Sequence, residues 1–206
     1  MISKVIGLLL RLGAILTMGV WMVFDMDTSG MSPSDTMTAI LADKTKAEIA
    51  SILNDFGVMS MFTGLYFLAK SLKSDNTVSN HFSEIGGLLL LLCVPLWVVL
   101  VGANLSAISE AKEFGNDVGA AIIASTTALQ MGGILLVVGL FMLGISLTLL
   151  RKYKGIIGIL FIIASVAAFI DMVVAPDSDA IGTIGWMGMF LMTLVTGILT
   201  TLQKEN

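Results

Sequence analysis

Cysteine and histidine each occur once, and proline three times, in a chain of 206 residues. A single thiol, Cys93, excludes an intrachain disulfide, and it lies in an apolar run where a thiol behaves as a small hydrophobe. The lone His81 excludes bis-His haem ligation and His-rich metal sites. It also leaves the apolar stretches without the usual general base. Charged residues are scarce, 13% against the roughly 25% of ordinary soluble domains, which excludes a water-soluble single-core protein. Disordered and collagen-like chains are excluded by the same shortage of proline and charge. No G-x-G-x-x-G follows a strand, so nucleotide binding has no support. The only basic cluster, Arg151, Lys152 and Lys154, is too short for a nucleic-acid surface and reads as a topogenic turn.

What the chain has in excess is apolar sequence: 56% hydrophobic residues and a mean hydropathy of +0.97. An apolar helix of about twenty residues crosses the roughly 30 Å hydrocarbon core while satisfying its own backbone hydrogen bonds. Six such runs predict an all-α, polytopic integral membrane protein, with residues 1–206 forming a single transmembrane helical domain. The expected spans are about 5–24, 49–72, 85–108, 118–150, 155–174 and 181–202. The third carries Pro95. The fourth is long enough that it must tilt, kink at Gly132 and Gly133, or begin outside the bilayer. The first reads as a retained helix, because Arg11 interrupts its apolar region and no A-x-A-like cleavage site precedes Asp25.

Charge sets the expected orientation. With both termini cytoplasmic in a cell membrane, Lys4, Arg11, Lys70, Lys73, Arg151, Lys152, Lys154 and Lys204 lie inside. Only Lys44, Lys46 and Lys112 lie outside, which meets the positive-inside rule. Most carboxylates fall outside, leaving that face at about −9 and the inner face at about +5. From Pro33 onward Met37, Ile40, Leu41, Ile49, Ile52, Leu53 and Phe56 recur at helical spacing, which predicts an amphipathic helix on the outer surface running into the second span. That helix either caps the neighbouring spans or serves docking or gating. Three spans on each side of the midpoint would suit an inverted repeat, but the outer helix has no counterpart in the second half.

Few polar residues sit in the apolar runs. Arg11 either snorkels to the headgroups or enters an internal contact. Ser125, Thr126, Thr127 and Gln130 form the densest polar patch, and Thr126 and Gln130 share a face at i, i+4. With Asn104 as a partner, they either join helices or line a solute path. Asp171, about one turn from the outer end of its span, is either a solvated interfacial carboxylate or part of an acidic mouth with Asp177 and Asp179. Gly155, Gly158, Gly182, Gly185 and Gly188 have the spacing of close helix packing.

The order of elements resembles a group of uncharacterised prokaryotic membrane proteins known as a domain-of-unknown-function family. The resemblance rests on Arg11-Leu12-Gly13 and on the stretch from Lys154-Gly155-Ile156-Ile157-Gly158-Ile159-Leu160 to Ile170-Asp171. It implies a membrane helical layout and carries no activity. No nucleophile, base or metal ligands converge at any expected depth, so the chain is not expected to be an enzyme or to need a cofactor. The expectation is a structural, assembly or accessory subunit of a membrane complex, with the lipid bilayer and other membrane subunits or a second copy as partners, and no nucleic acid. The alternative is a small-solute or ion transporter or channel with a polar path near Thr126 and Gln130.

Overall fold

A computed structural model describes residues 2–24, 31–130, 132–174 and 179–203. The described residues are almost entirely helical and contain no strand. The helices are α1 (Ile2–Phe24), α2 (Pro33–Ala42), α3 (Lys44–Ser71), α4 (Thr77–Phe114), α5 (Asn116–Gln130), α6 (Gly133–Leu149), α7 (Ile156–Val173) and α8 (Asp179–Leu202). A single 3-10 turn, Lys152–Gly155, joins α6 to α7. Five helices, α1, α3, α4, α7 and α8, are long and apolar enough to cross a membrane, and they mark a multi-pass membrane protein. The apolar helix α6 is shorter, at 17 residues.

Local chemistry sets the breaks. Ser32 caps α2 by accepting from Asp35 N at 3.2 Å, with Pro33 at the first helical position, where its missing N–H costs nothing. The helix expected to run on from Pro33 is interrupted at Asp43, whose carboxylate accepts from Lys46 N (3.3 Å) and starts α3 afresh. Asn76 caps α4 through Ser79 N at 3.0 Å. Gly115, at φ +101°, turns the chain between α4 and α5 in a conformation that side-chain-bearing residues rarely adopt. The apolar stretch 118–150 is not continuous: α5 ends at Gln130 and α6 begins at Gly133. Gly155 has φ +77° in the α6–α7 turn, so its role there is conformational, whereas the sequence spacing suggested packing.

Six helices close a ring. The packing runs α1 on α3, α3 on α4, α4 on α6, α6 on α7, α7 on α8 and α8 back on α1. The ring is filled rather than hollow along most of its length: Leu10, Phe62, Leu65, Leu90, Leu140, Leu143 and Phe161 are all buried in one apolar cluster. Each of the six seams carries a glycine. A Cβ on Gly13 would stand 2.7 Å from the Gly57 carbonyl oxygen, one on Gly7 2.7 Å from that of Gly197, and one on Gly86 2.8 Å from that of Gly139. At Gly144 it would lie 2.8 Å from Gly158 O, at Gly87 2.8 Å from the Ala69 Cβ, and at Gly185 2.7 Å from the Ala168 Cα. Lipid tails are as apolar as the side chains, so close backbone approach supplies the cohesion that the hydrophobic effect cannot.

Helix α4 has 38 residues, roughly 57 Å at 1.5 Å per residue, and outruns the ring. Its C-terminal part packs with α2, the start of α3 and α5 around Met37, Ala47, Ala107, Ile108, Ala111 and Ala120. This second, smaller cluster forms a cap on one end of the ring. The other end holds the start of α1 and the end of α8, which meet where Gly7 faces Thr201.

Candidate functional site

Among the described residues, those singled out from sequence do not converge. Arg11 is half-buried on α1; its Nε donates to the Gly7 carbonyl at 3.2 Å, and its stem fills the space over Gly197, where a Cβ would lie 2.9 Å from the Arg11 Cγ. Helix α1 packs on α3 and α8, so α3 stands between Arg11 and the α4–α5 hairpin. Thr126 is buried, and its hydroxyl donates to Ile123 O of its own helix (2.7 Å). Ser125 does the same to Ile122 O (2.6 Å). Asn104 is half-buried on α4, and no hydrogen bond joins it to Thr126. The side chains of Gln130 and Thr127 lie outside the described residues.

Asp171 is held by protein rather than left to water. It is half-buried near the end of α7 and accepts a hydrogen bond from Trp186 Nε1 of α8 at 2.9 Å. Gly182 makes room for the carboxylate, since a Cβ there would come within 2.6 Å of Asp171 Oδ1. The pair locks the α7–α8 hairpin across its loop. Asp177 and the Asp179 side chain, the other members of the expected acidic mouth, lie outside the described residues.

Other polar groups lie apart from these residues. Thr193, Thr196 and Thr200 form a buried stripe on α8, each donating to the carbonyl four residues earlier. Such back-bonding lets a hydroxyl sit in an apolar setting without a cross-helix partner. Thr200 also meets the Tyr153 hydroxyl. Between α4 and α6, Ser79 and Ser146 pair oxygen to oxygen at 2.8 Å, both fully buried. Their spacing of 67 residues explains why no local pattern announces them. Thr17 Oγ1, Asn54 Oδ1 and Asp55 Oδ1 are buried without a hydrogen-bond partner on the helices of the α1–α3 seam.

Two cavities are lined by residues of α3 and α4. One, of about 240 Å³, lies between the end of α3 and the start of α4 at the uncapped end. Tyr66, Lys70, Lys73, Asn80 and Glu84 line it, and the Lys70 ammonium stands 5.9 Å from the Tyr66 ring centre. The other, of about 300 Å³, lies where α5 gives way to α6 and is walled by Phe62, Leu96, Trp97, Leu136, Met172 and Trp186, among others. Neither is lined by Arg11, Asn104, Thr126 or Asp171. Among the described residues, no three His, Cys, Asp or Glu side chains come together as a metal site would require. Against known proteins the chain finds no counterpart: no family model matches it, nor does any curated protein or solved structure.

Proposed function

We propose that the chain is a non-catalytic structural or accessory subunit of a membrane complex, crossing a cell membrane six times with both termini on the cytoplasmic side. The observation that carries this reading is that the polar side chains among the described residues do not meet. Arg11, Thr126 and Asp171 are each engaged within their own helix or hairpin, around a ring whose interior is packed with Leu and Phe. A conducting path needs a continuous polar lining, and a reaction needs positioned groups within hydrogen-bond reach. In this reading α6 supplies the fourth of the six spans, beside the five long helices. Its 17 residues reach roughly 25 Å at 1.5 Å per residue, and the end of α5 completes the crossing. The placement of the first and last described residues at the uncapped end supports termini on one side.

The transport reading retains one observation, the interruption between α5 and α6, since broken helices often mark solute sites. The space at that interruption is walled by apolar side chains, which suits no ion.

Purification from native membranes in mild detergent tests the proposal. A defined partner at fixed stoichiometry is expected; a chain that is monodisperse alone and conducts a solute in liposomes overturns it. In a Cys93→Ser background, Ser34→Cys is expected to label from outside and Lys73→Cys from the cytoplasm. Labelling of Ser34→Cys from the cytoplasm alone refutes the orientation.

A further inference from the structure

The cavity of about 240 Å³ at the uncapped end lies between the last turns of α3 and the first turns of α4. The two helices approach closely there through small residues, since a Cβ on Gly87 would stand 2.8 Å from the Ala69 Cβ, and the larger side chains of Tyr66 and Leu88 border the recess that results. Three charged side chains line the same recess: Lys70 and Lys73 from the end of α3 and just beyond it, and Glu84 from α4, all exposed. Among the described residues none of these three enters an ion pair; the pair that forms on α3 is Lys44 with Glu48, at the opposite end of the helix. Two neutral polar side chains of the lining are already committed. Asn80 accepts from Ser74 N at 3.0 Å and donates to Ser74 O at 2.7 Å, which fastens the α3–α4 turn, and the Ser83 hydroxyl donates to Asn80 O (2.9 Å). The Lys70 ammonium faces the Tyr66 ring, which keeps that charge beside the recess. What remains for a ligand is chiefly charge, two cations and one carboxylate. The level along the bundle is also defined. Leu88, one turn beyond Glu84, is 55% exposed on a span, so lipid-facing apolar surface begins directly below the charged groups.

We infer that this recess binds the headgroup of a phospholipid whose phosphate is joined to a primary ammonium, as in phosphatidylethanolamine, with the phosphate drawn to Lys70 and Lys73 and the ammonium donating to the Glu84 carboxylate. Basic recesses between membrane helices take lipid headgroups. A headgroup with a phosphate and no ammonium, such as that of phosphatidylglycerol, satisfies the lysines but sets a second negative charge beside Glu84. The trimethylated ammonium of phosphatidylcholine has no N–H to donate and is bulkier. At about 240 Å³ the recess holds a headgroup and leaves the acyl chains in the bilayer alongside Leu88. A soluble ethanolamine phosphate ester carries the same charges but gains nothing from that apolar surface, so the lipid is the occupant. The inference needs the membrane setting alone, and neither the orientation nor a larger complex.

Native mass spectrometry tests it. The full chain, purified in detergent, is titrated with phosphatidylethanolamine, phosphatidylglycerol or phosphatidylcholine of matched acyl chains. One phosphatidylethanolamine adduct is expected to saturate at about tenfold lower concentration than either other lipid, the scale of one charge-assisted hydrogen bond. Glu84→Gln is expected to abolish the preference over phosphatidylglycerol. Lys70→Gln combined with Lys73→Gln is expected to weaken all three lipids by about tenfold. Lys154→Gln, at the same end of the bundle but outside the recess, is expected to change neither affinity nor preference. All of these side chains are exposed, so the substitutions leave the packed ring intact. Glycerophosphoethanolamine, the same headgroup without acyl chains, is expected not to displace the lipid at equal concentration. Equal or tighter binding of phosphatidylglycerol, an unchanged preference in Glu84→Gln, an equal loss in Lys154→Gln, or displacement by the soluble headgroup at equal concentration would each overturn the inference.

Discussion

At the scale of single residues, the seam glycines are the positions where a methyl group decides the most. A Cβ on Gly158 would come within 2.7 Å of Thr148 N in α6. Forcing extra atoms into a packed contact costs about 1–3 kcal/mol, and Gly158→Leu is expected to lower stability by at least that much in an unfolding titration in mixed micelles. Gly102 is the contrasting case. Nothing lies within 4 Å of a Cβ built there, and alanine is the better helix former by about 1 kcal/mol. Gly102→Ala is therefore expected to be neutral or stabilising in the same titration. The Asp171–Trp186 bond gives a third comparison. Asp171→Asn keeps an acceptor for the indole, whereas Asp171→Leu leaves the Trp186 N–H unpaired. The second substitution is expected to cost about 0.6 kcal/mol more than the first, near the average for hydrogen bonds between membrane helices.

At the scale of elements, the cap and the ring are two packing units that share α3 and α4. The cap closes through small residues: Ala107, Ala111 and Ala120 are buried, and a Cβ on Gly119 would meet the Ala111 Cβ at 2.6 Å. Ala111→Leu is expected to push α5 off α4 and speed amide hydrogen exchange in α2 and α5, while exchange in α7 and α8 stays unchanged. Loss of protection throughout the chain would show that cap and ring unfold as one unit. The sequence marked the helix in this region through the spacing of Met37, Ile40 and Leu41. It did not mark the interruption at Asp43, because Lys44–Ala50 keeps a helical pattern and only the cap geometry at Asp43 breaks it. The interruption near Gly132 was one of three outcomes left open for the long fourth run. A run of apolar residues with two glycines has no local reason to choose among tilt, kink and an extramembrane start.

At the scale of the whole molecule, the closed ring makes its centre the most costly place to remove volume. Leu143 is fully buried, at 0% exposure, whereas Leu8 is 55% exposed on α1. Leu143→Ala is expected to cost about 2–5 kcal/mol and Leu8→Ala well under that, since a lipid tail replaces what the second substitution removes. Comparable losses at the two positions would contradict the ring.

Composition and run length by themselves determined that this is an all-helical, multi-pass chain, because a bilayer admits few backbone solutions and an apolar helix of sufficient length is visible residue by residue. The glycines at 158, 182 and 185 were legible as packing positions for the same reason: small residues at helical spacing have that use wherever they face. Tertiary structure alone decided which helix each seam meets, that the six contacts close, and that Ser79 finds Ser146. It decided, too, that Asp171 answers to Trp186 and that Thr126 bonds its own helix. A periodic pattern fixes the direction a side chain points from its own axis and says nothing about what stands opposite. Trp97 shows the difference most plainly. In sequence it is one aromatic in an apolar run; in the folded ring it stands edge-on against Phe62 of α3, with its indole N–H buried and unpartnered.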